Sequence, residues 1–289
     1  MPDPIKNSSP PALGLSVSVV CYDSNEEELR ALMASLLSSL RVLKSSFTLA
    51  PVAISLIDNS EHHRLQLGLF DACADELEAL GVELRLHQGH GNIGYGRGHN
   101  MAIRESVADY HLILNPDVVL ADDCLRAGID YLQNNPDTGM TSPYAEDKQG
   151  QKQYLCKRYP SAFTFFVRGF VPSVLQGLFR KRLARFEMHS LSETIPTASV
   201  PIISGCFMLC RADKLRLVDG FDEGYFLYFE DFDLSLRMGK LGQIAFLPAM
   251  KIQHRGGHSA SKGRHHINWF VQSAWRFFSS HGWRFFKQE

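Results

Sequence analysis

The sequence predicts an α/β domain built on a mostly parallel central sheet with flanking helices and a C-terminal helical appendage. Three observations predict it. Short β-rich apolar runs alternate with helical stretches through the first third of the chain. The strand-like runs end on Tyr22, Asp58 and Asp117, residues that carry chemistry rather than packing. Before the last of these runs lies a glycine-rich loop with Gly89, Gly91, Gly94, Gly96 and Gly98. In sheets of this kind ligands bind beyond the carboxyl ends of the strands.

Residues 1–14 read as a disordered leader without a basic-then-apolar signal pattern. The run 15–22 (LSVSVVCY) is the first strand, and Asp23-Ser24-Asn25 offers cap chemistry for a helix over 26–43. A second strand over 52–57 ends in Asp58, and a helix over 62–80 leads to a third strand at 82–87. The glycine loop opens a helix over 97–109. A buried strand at 111–114 follows and ends in Asn115-Pro116-Asp117. Glycines let the backbone approach a ligand closely, and a helix N-terminus favours anions. A carboxylate at a strand end beside phosphates is well placed to hold a divalent metal. Loop, helix, strand and acid together point to a nucleotide-diphosphate site.

Gly89-His90-Gly91-Asn92-Ile93-Gly94 also matches the G-x-G-x-x-G dinucleotide fingerprint, with Asp109 about twenty residues on. The context does not fit. That fingerprint belongs to the first strand–helix turn with its acid at a strand end, whereas two strand–helix units precede this loop.

Beyond Asp117 a helix over 122–132 and a strand at 140–144 are expected, with a hairpin arm at 149–157. Residues 160–197 are aromatic and basic without clear period, and read either as a mobile insertion or as an acceptor-binding lid. Strand character returns over 200–210, broken by Gly205, before a short helix at 211–217. Aromatics then crowd Glu230, Asp231 and Asp233 at the start of an amphipathic helix, and a short strand at 244–247 precedes His254.

The 289 residues carry a formal net charge of −1, which argues against general nucleic-acid binding. The six cysteines form no C-x-x-C pair and read as buried, reduced thiols of a cytosolic protein. No apolar run has the length of a membrane span.

A reaction at such a site that releases a nucleoside diphosphate to an incoming hydroxyl requires charge neutralised on the leaving group and a proton taken from that hydroxyl. Asp117 with a bound metal answers the first need, and a carboxylate at Glu230 or Asp231 answers the second.

The motif order carries a resemblance. Ile57-Asp58-Asn59-Ser60, the loop Gly91-Asn92-Ile93-Gly94-Tyr95-Gly96-Arg97-Gly98-His99-Asn100, Leu114-Asn115-Pro116-Asp117, Gly220-Phe221-Asp222-Glu223, Phe229-Glu230-Asp231-Phe232-Asp233-Leu234 and His254-Arg255-Gly256-Gly257-His258-Ser259 follow one another. Over roughly residues 16–259 the chain resembles the family 2 inverting glycosyltransferases of the GT-A fold, specifically their bacterial rhamnosyltransferase-like branch. The resemblance implies a GT-A domain over 15–262, with 160–197 inserted and a helical tail over 263–289. It implies donor contacts from Tyr22, Asp58 (reading the pyrimidine base), Asn92, Gly94, Arg97, Asn100, Asn115 and Asp117. Asp117 and His254 would hold Mg²⁺ or Mn²⁺. Asn115 departs from the family's D-x-D motif by replacing its first acid, which weakens the expected dependence on metal. Asp231 would be the base, with Glu230 the runner-up and Asp233 orienting the helix. The implied reaction moves L-rhamnose from its dTDP donor to a hydroxyl of a glycan or lipid-linked glycan. Rival readings are transfer of another UDP or dTDP sugar, a sugar nucleotidyltransferase, and a silent glycan-binding scaffold.

The tail adds an expectation about location. Ile267, Phe270, Val271, Ala274, Phe277 and Phe278 form a stripe expected to pack on the domain. Trp269, Trp283, Phe285 and Phe286, mixed with Arg284 and Lys287, suit a membrane interface, with 180–185 as a second contact.

Overall fold

The computed structural model describes residues 12–62, 64–171, 177–256 and 263–286. Leader residues 1–11, and the motif and tail residues His258, Ser259 and Lys287, lie outside the described residues.

The chain opens with β1 (Leu15–Cys21), α1 (Glu26–Ser46), β2 (Val52–Asp58), a 3₁₀ turn (Leu67–Cys73), α2 (Ala74–Leu80) and β3 (Val82–His87). It continues with α3 (Tyr95–Glu105), β4 (Tyr110–Leu114), β5 (Val118–Leu120), α4 (Cys124–Asn134), β6 (Thr138–Glu146), β7 (Lys152–Gln153) and β8 (Cys156–Lys157). Next come α5 (Ala162–Phe170), α6 (Arg180–Phe186), β9 (Ile202–Ile203), β10 (Phe207–Arg211) and α7 (Ala212–Leu217). The last elements are α8 (Glu230–Met238), β11 (Gln243–His254) and α9 (Gly263–His281).

Nine strands form the main sheet in the order β3-β2-β1-β4-β10-β6-β11-β5, with β7 on β6. The β3-β2-β1-β4 half is parallel; β10 runs antiparallel to β4 and β6, and β5 antiparallel to β11. β1 is buried along its whole length, as a central strand covered on both faces must be. One face packs on α1 and α4 through Leu32, Leu36, Leu40, Leu125 and Ile129. The other packs on the α3, α7 and α8 side through Ile103, Leu215, Leu234 and Met238.

The order begins earlier than expected: Leu13 donates its N–H to Thr48 and Gly14 donates to the Asp109 carboxylate. That second bond holds the turn at Asp109, and α3 ends at Glu105 rather than reaching 109. The helix expected over 62–80 is shorter, because the Asp58 carboxylate captures the Leu65 N–H at 2.7 Å and holds the preceding residues as a loop. β11 runs 12 residues, far past 247, with a register shift between Leu247 and Lys251 that carries it to His254. The expected hairpin arm divides, β7 pairing with β6 and β8 with β9.

The tail helix exists, but its inward face differs. Phe277 and Phe278 are buried against Tyr159, Tyr225 and Phe229, with Phe270 and Ala274 beside them. Ile267 and Val271 are more than half exposed, so the stripe divides into an inner and an outer face. Trp269 turns inward onto the Phe226 ring, centroids 4.6 Å apart, and is not an outward contact.

Candidate active site

The carboxyl ends of β1, β2 and β4 converge with the glycine loop and the start of α8. Gly94, at φ 90°, precedes α3 where the backbone must pass under Phe226; a Cβ there would sit 2.5 Å from the Phe226 carbonyl oxygen. Tyr95 donates its N–H to that same carbonyl at 3.1 Å. The Gly94 N–H in turn is held by Asn92 Oδ1 at 3.1 Å, and Asn59 Nδ2 donates to Gly94 O at 3.0 Å.

Tyr95 joins the two halves of the site. Its hydroxyl lies 2.6 Å from the Gly205 carbonyl and 3.0 Å from Asn115 Oδ1. Gly205 donates its N–H to Asp231 Oδ2 at 2.9 Å. An added Cβ on Gly205 would stand 3.2 Å from Asp231 Cβ and 3.3 Å from the Tyr95 ring, so only glycine leaves both in place. Burial, then Cys206 and the Glu230, Asp231 and Asp117 charges, push the Tyr95 pKa well up. The phenol therefore stays protonated, within reach of the fields of both acid groups.

Asp117 follows β4, and Asp117 Oδ1 is buried without a hydrogen-bond partner. His254 Nε2 lies 3.5 Å from it. His254 Nδ1 donates to Gln153 Oε1 at 2.7 Å, and Gln153 Nε2 donates back to the His254 carbonyl at 3.0 Å. That clamp fixes the tautomer and leaves the Nε2 lone pair facing Asp117. An orphaned carboxylate oxygen beside an imidazole nitrogen is a donor set that fits Mg²⁺ or Mn²⁺. No group of three or more His, Cys, Asp or Glu able to hold a metal occurs among the described residues.

The chain reaches α8 through Tyr228 and Phe229, both in left-handed backbone conformation (φ 72° and 66°), each costing about 1–3 kcal/mol. Phe229 is buried among Phe165, Phe270, Phe277 and Phe278, which holds that backbone in place. Glu230 and Asp231 follow side by side. Burial raises both carboxyls; the Asp231 charge raises Glu230 further, while the Gly205 and Phe232 N–H groups draw Asp231 back down. Asp231 is thus the member that ionises first, and Glu230 holds the proton. Asp233 is tied between Arg237 Nε and His281 Nε2, each at 2.7 Å, and serves to lock α8 to α9.

The other expected donor residues take varied positions. Asp58 is buried and accepts from Ser60 and Leu65 N–H groups. It borders a cleft of about 640 Å³ also lined by Cys21, Ser24, Arg30, Arg64 and Leu65. Tyr22 is exposed. Arg97 is exposed and donates to the Glu223 carbonyl. Asn100 is buried and exchanges two hydrogen bonds with the Phe221 backbone.

Sequence reasoning missed Tyr95 and Gln153. A glycine interrupting the run over 200–210 was the available signal for close approach by another side chain. Nothing local marks Gln153. Beneath the site lies a polar chain that was also missed. Ser18 Oγ sits 2.7 Å from His99 Nδ1 and 2.8 Å from His111 Nε2, and Ser16 Oγ 2.8 Å from His111 Nδ1.

Residues 16–215 match the family described as glycosyl transferase family 2. The chain belongs to that family. Among similar proteins, the rhamnosyltransferase WbbL of Escherichia coli strain K12 is 28% identical over 197 residues, covering 65% of this chain and 70% of its own. The N-acetylglucosaminyl-diphospho-decaprenol L-rhamnosyltransferase of Mycobacterium tuberculosis is 28% identical over 226 residues, covering 73% and 69%. Of solved structures, GalNAc-T7 with UDP, GalNAc and Mn²⁺ superposes with a TM-score of 0.59 at 14% identity over 86% of this chain. This chain spans 44% of that protein's length, and the likeness is one of fold. The glycosyltransferase has the GT-A architecture, and its structural relatives of that fold include one crystallised with a nucleotide and Mn²⁺.

Proposed function

We propose that this glycosyltransferase moves L-rhamnose from dTDP-L-rhamnose to a hydroxyl of a glycan or lipid-linked glycan of the cell surface, with inversion. The observation that carries the transfer chemistry is the Asp231–Gly205–Tyr95–Asn115 chain of contacts, which ties a half-buried carboxylate to the strand end bearing Asp117. Similarity to two rhamnosyltransferases, one of them acting on a lipid-diphosphate-linked sugar by its name, supports the sugar and acceptor class.

In this reading Asp231 removes the proton of the acceptor hydroxyl, and the oxygen forms its bond to the anomeric carbon from the face opposite the leaving group. The bond from that carbon to the diphosphate oxygen breaks, and its electron pair leaves with the nucleoside diphosphate. Glu230, neutral, keeps a second charge away from Asp231. Asp117 and His254 would hold a divalent cation, which when bound neutralises the diphosphate. The cleft beside Asp58, with Arg30 and Arg64, is the place for the nucleoside. The enzyme would work in the cytoplasm, reaching lipid-linked acceptors at the inner face of the membrane. Among the described residues no helix is long and apolar enough to cross a membrane.

Calorimetric titration of dTDP-L-rhamnose, UDP sugars and GDP sugars with Mn²⁺, followed by transfer assays on the binder, tests this. Tightest binding of dTDP-L-rhamnose is expected. Preference for a UDP sugar would move the donor assignment, and donor binding without any turnover to acceptor would favour a glycan-binding scaffold.

A further inference from the structure

The outer face of α9 carries an apolar stripe of its own. Ile267, Val271 and Trp275 recur every fourth residue and are 59%, 54% and 66% exposed. A surface helix normally carries one apolar stripe, and a second one signals a second apolar environment. The stripe does not stop at the helix end. The Trp275 and Trp283 rings lie 5.2 Å apart, and Trp283 stacks on Phe285 at 5.7 Å.

From there the surface crosses to the insertion. Ala162 and Phe163 donate their N–H groups to the Arg284 and Phe285 carbonyls, which fastens the tail across the start of α5. Phe286, 70% exposed, packs on Phe163, and Phe163 on Phe179. Leu178 beside it is the next exposed apolar residue, and Arg180 and Lys181 follow, both exposed. Tail and insertion, far apart in sequence, thus make one continuous aromatic surface with a basic end.

The charge distribution says what this surface meets. Residues 160–186 contain five Lys or Arg and residues 263–286 contain three, with no Asp or Glu in either segment. The remainder of a chain of net charge −1 is therefore acidic on balance. A second copy of this chain docked symmetrically here would bring like charges face to face, which disfavours a dimer. Arg276 is held by Asp222 at 2.7 Å, so the cations that matter here are the exposed Arg180 and Lys181 at the end of the strip. Trp and Phe beside such cations suit the headgroup region of an anionic bilayer, where each Lys or Arg adds roughly 1 kcal/mol of attraction.

We propose that the strip from Ile267 through Trp275, Trp283, Phe285 and Phe286 to Lys181 docks this enzyme on an anionic lipid bilayer. Docking also bears on the reaction. Phe277 and Phe278, on the inner face of α9, pack on Phe229, the residue before Glu230 and Asp231. A bilayer held against the outer face would thus be separated from Phe229 by the thickness of α9. That link to the acceptor rests on the transfer reading; the docking itself does not.

Co-sedimentation with vesicles of phosphatidylcholine alone, or with a third phosphatidylglycerol, tests the proposal on the full chain. The wild type is expected to sediment with the anionic vesicles at low salt and to be released by high salt. Trp275→Ser combined with Phe285→Ser, and separately Arg180→Glu with Lys181→Glu, should each reduce the bound fraction on the order of tenfold. Both variants should melt near the wild-type temperature and bind dTDP-L-rhamnose in solution as it does, since none of these side chains lies in the donor site. Wild type remaining in the supernatant with anionic vesicles at low salt overturns the proposal. Undiminished sedimentation of the aromatic variant overturns it as well. A lipid-free dimer abolished by Trp275→Ser with Phe285→Ser would instead assign the face to contact between copies. Loss of nucleotide-sugar binding by the wild type would strike the donor reading and leave docking untouched.

Discussion

His254 Nε2 and Asp117 Oδ1 face each other at 3.5 Å because β11 runs antiparallel to β5 with His254 paired to Val118. The Arg255 N–H closes the same turn on the Asp117 carbonyl at 2.9 Å. Asp117→Ala should therefore leave the circular dichroism and melting of the protein near wild type while abolishing metal-assisted donor turnover. Gln153→Leu, which frees the His254 ring, should weaken Mn²⁺ binding about 10- to 100-fold by calorimetry. Wild-type Mn²⁺ affinity in both variants would remove the pair from the metal site.

Asn115 stands where a first acid is expected, and its Oδ1 is 3.0 Å from the Tyr95 hydroxyl. Asn115→Asp keeps an acceptor oxygen for that phenol. Transfer should persist, and Mn²⁺ should bind more tightly because a charge is added near Asp117. A folded but inactive Asn115→Asp enzyme would show that the amide itself is required.

Asp231→Asn should retain donor affinity and lose about 10²- to 10⁴-fold in kcat. Burial raises the Asp231 pKa, so the acidic limb of the rate profile should lie above the usual carboxylate range. Activity falls as pH drops through that raised value and the base takes up its proton. Glu230→Gln imitates the neutral state that Glu230 already holds, so transfer should survive with the limb in place. An inactive Glu230→Gln beside an active Asp231→Asn would reverse the two roles.

The buried histidines predict acid lability. Burial lowers His111 to about 3 and holds His99 well below its ordinary value. The unfolded chain takes up these protons near pH 6.5 while the folded one does not. Stability should thus be unaffected above that pH and fall as pH drops toward 3, by about 1.4 kcal/mol per pH unit for each histidine. Urea unfolding from pH 7.5 to 4.5 measures it. Equal free energies of unfolding in His111→Gln and wild type across the whole range would exclude the effect.

Much of the site was readable without coordinates because its positions are set by local rules. A buried strand that ends on Asp58 or Asp117 delivers that acid to the carboxyl edge of a parallel sheet wherever the strand lies in the order. The carboxylates ahead of α8 were equally legible, since acids in a first helical turn follow from the chain's own periodicity. The resemblance put Asp231 ahead of Glu230, but nothing local in the sequence gives a physical reason for that order. Their ranking depends on the Gly205 N–H, which arrives from another part of the chain.

The sequence by itself determined the alternation of strands and helices, the glycine loop, and which acids lie at strand and helix ends. Those features depend on spacing along a few residues, where backbone geometry leaves little choice. Only the tertiary structure decided which polar atoms were already engaged. Asn100 is bound to Phe221 and Asp58 to Leu65, while Asp117 Oδ1 and Glu230 Oε2 are left without partners among the described residues. It also decided that α9 has two apolar faces and that Trp269 belongs to the inner one. A hydrogen bond or ring contact between distant segments leaves no period in the sequence, because its partner is chosen by the packing of the whole sheet.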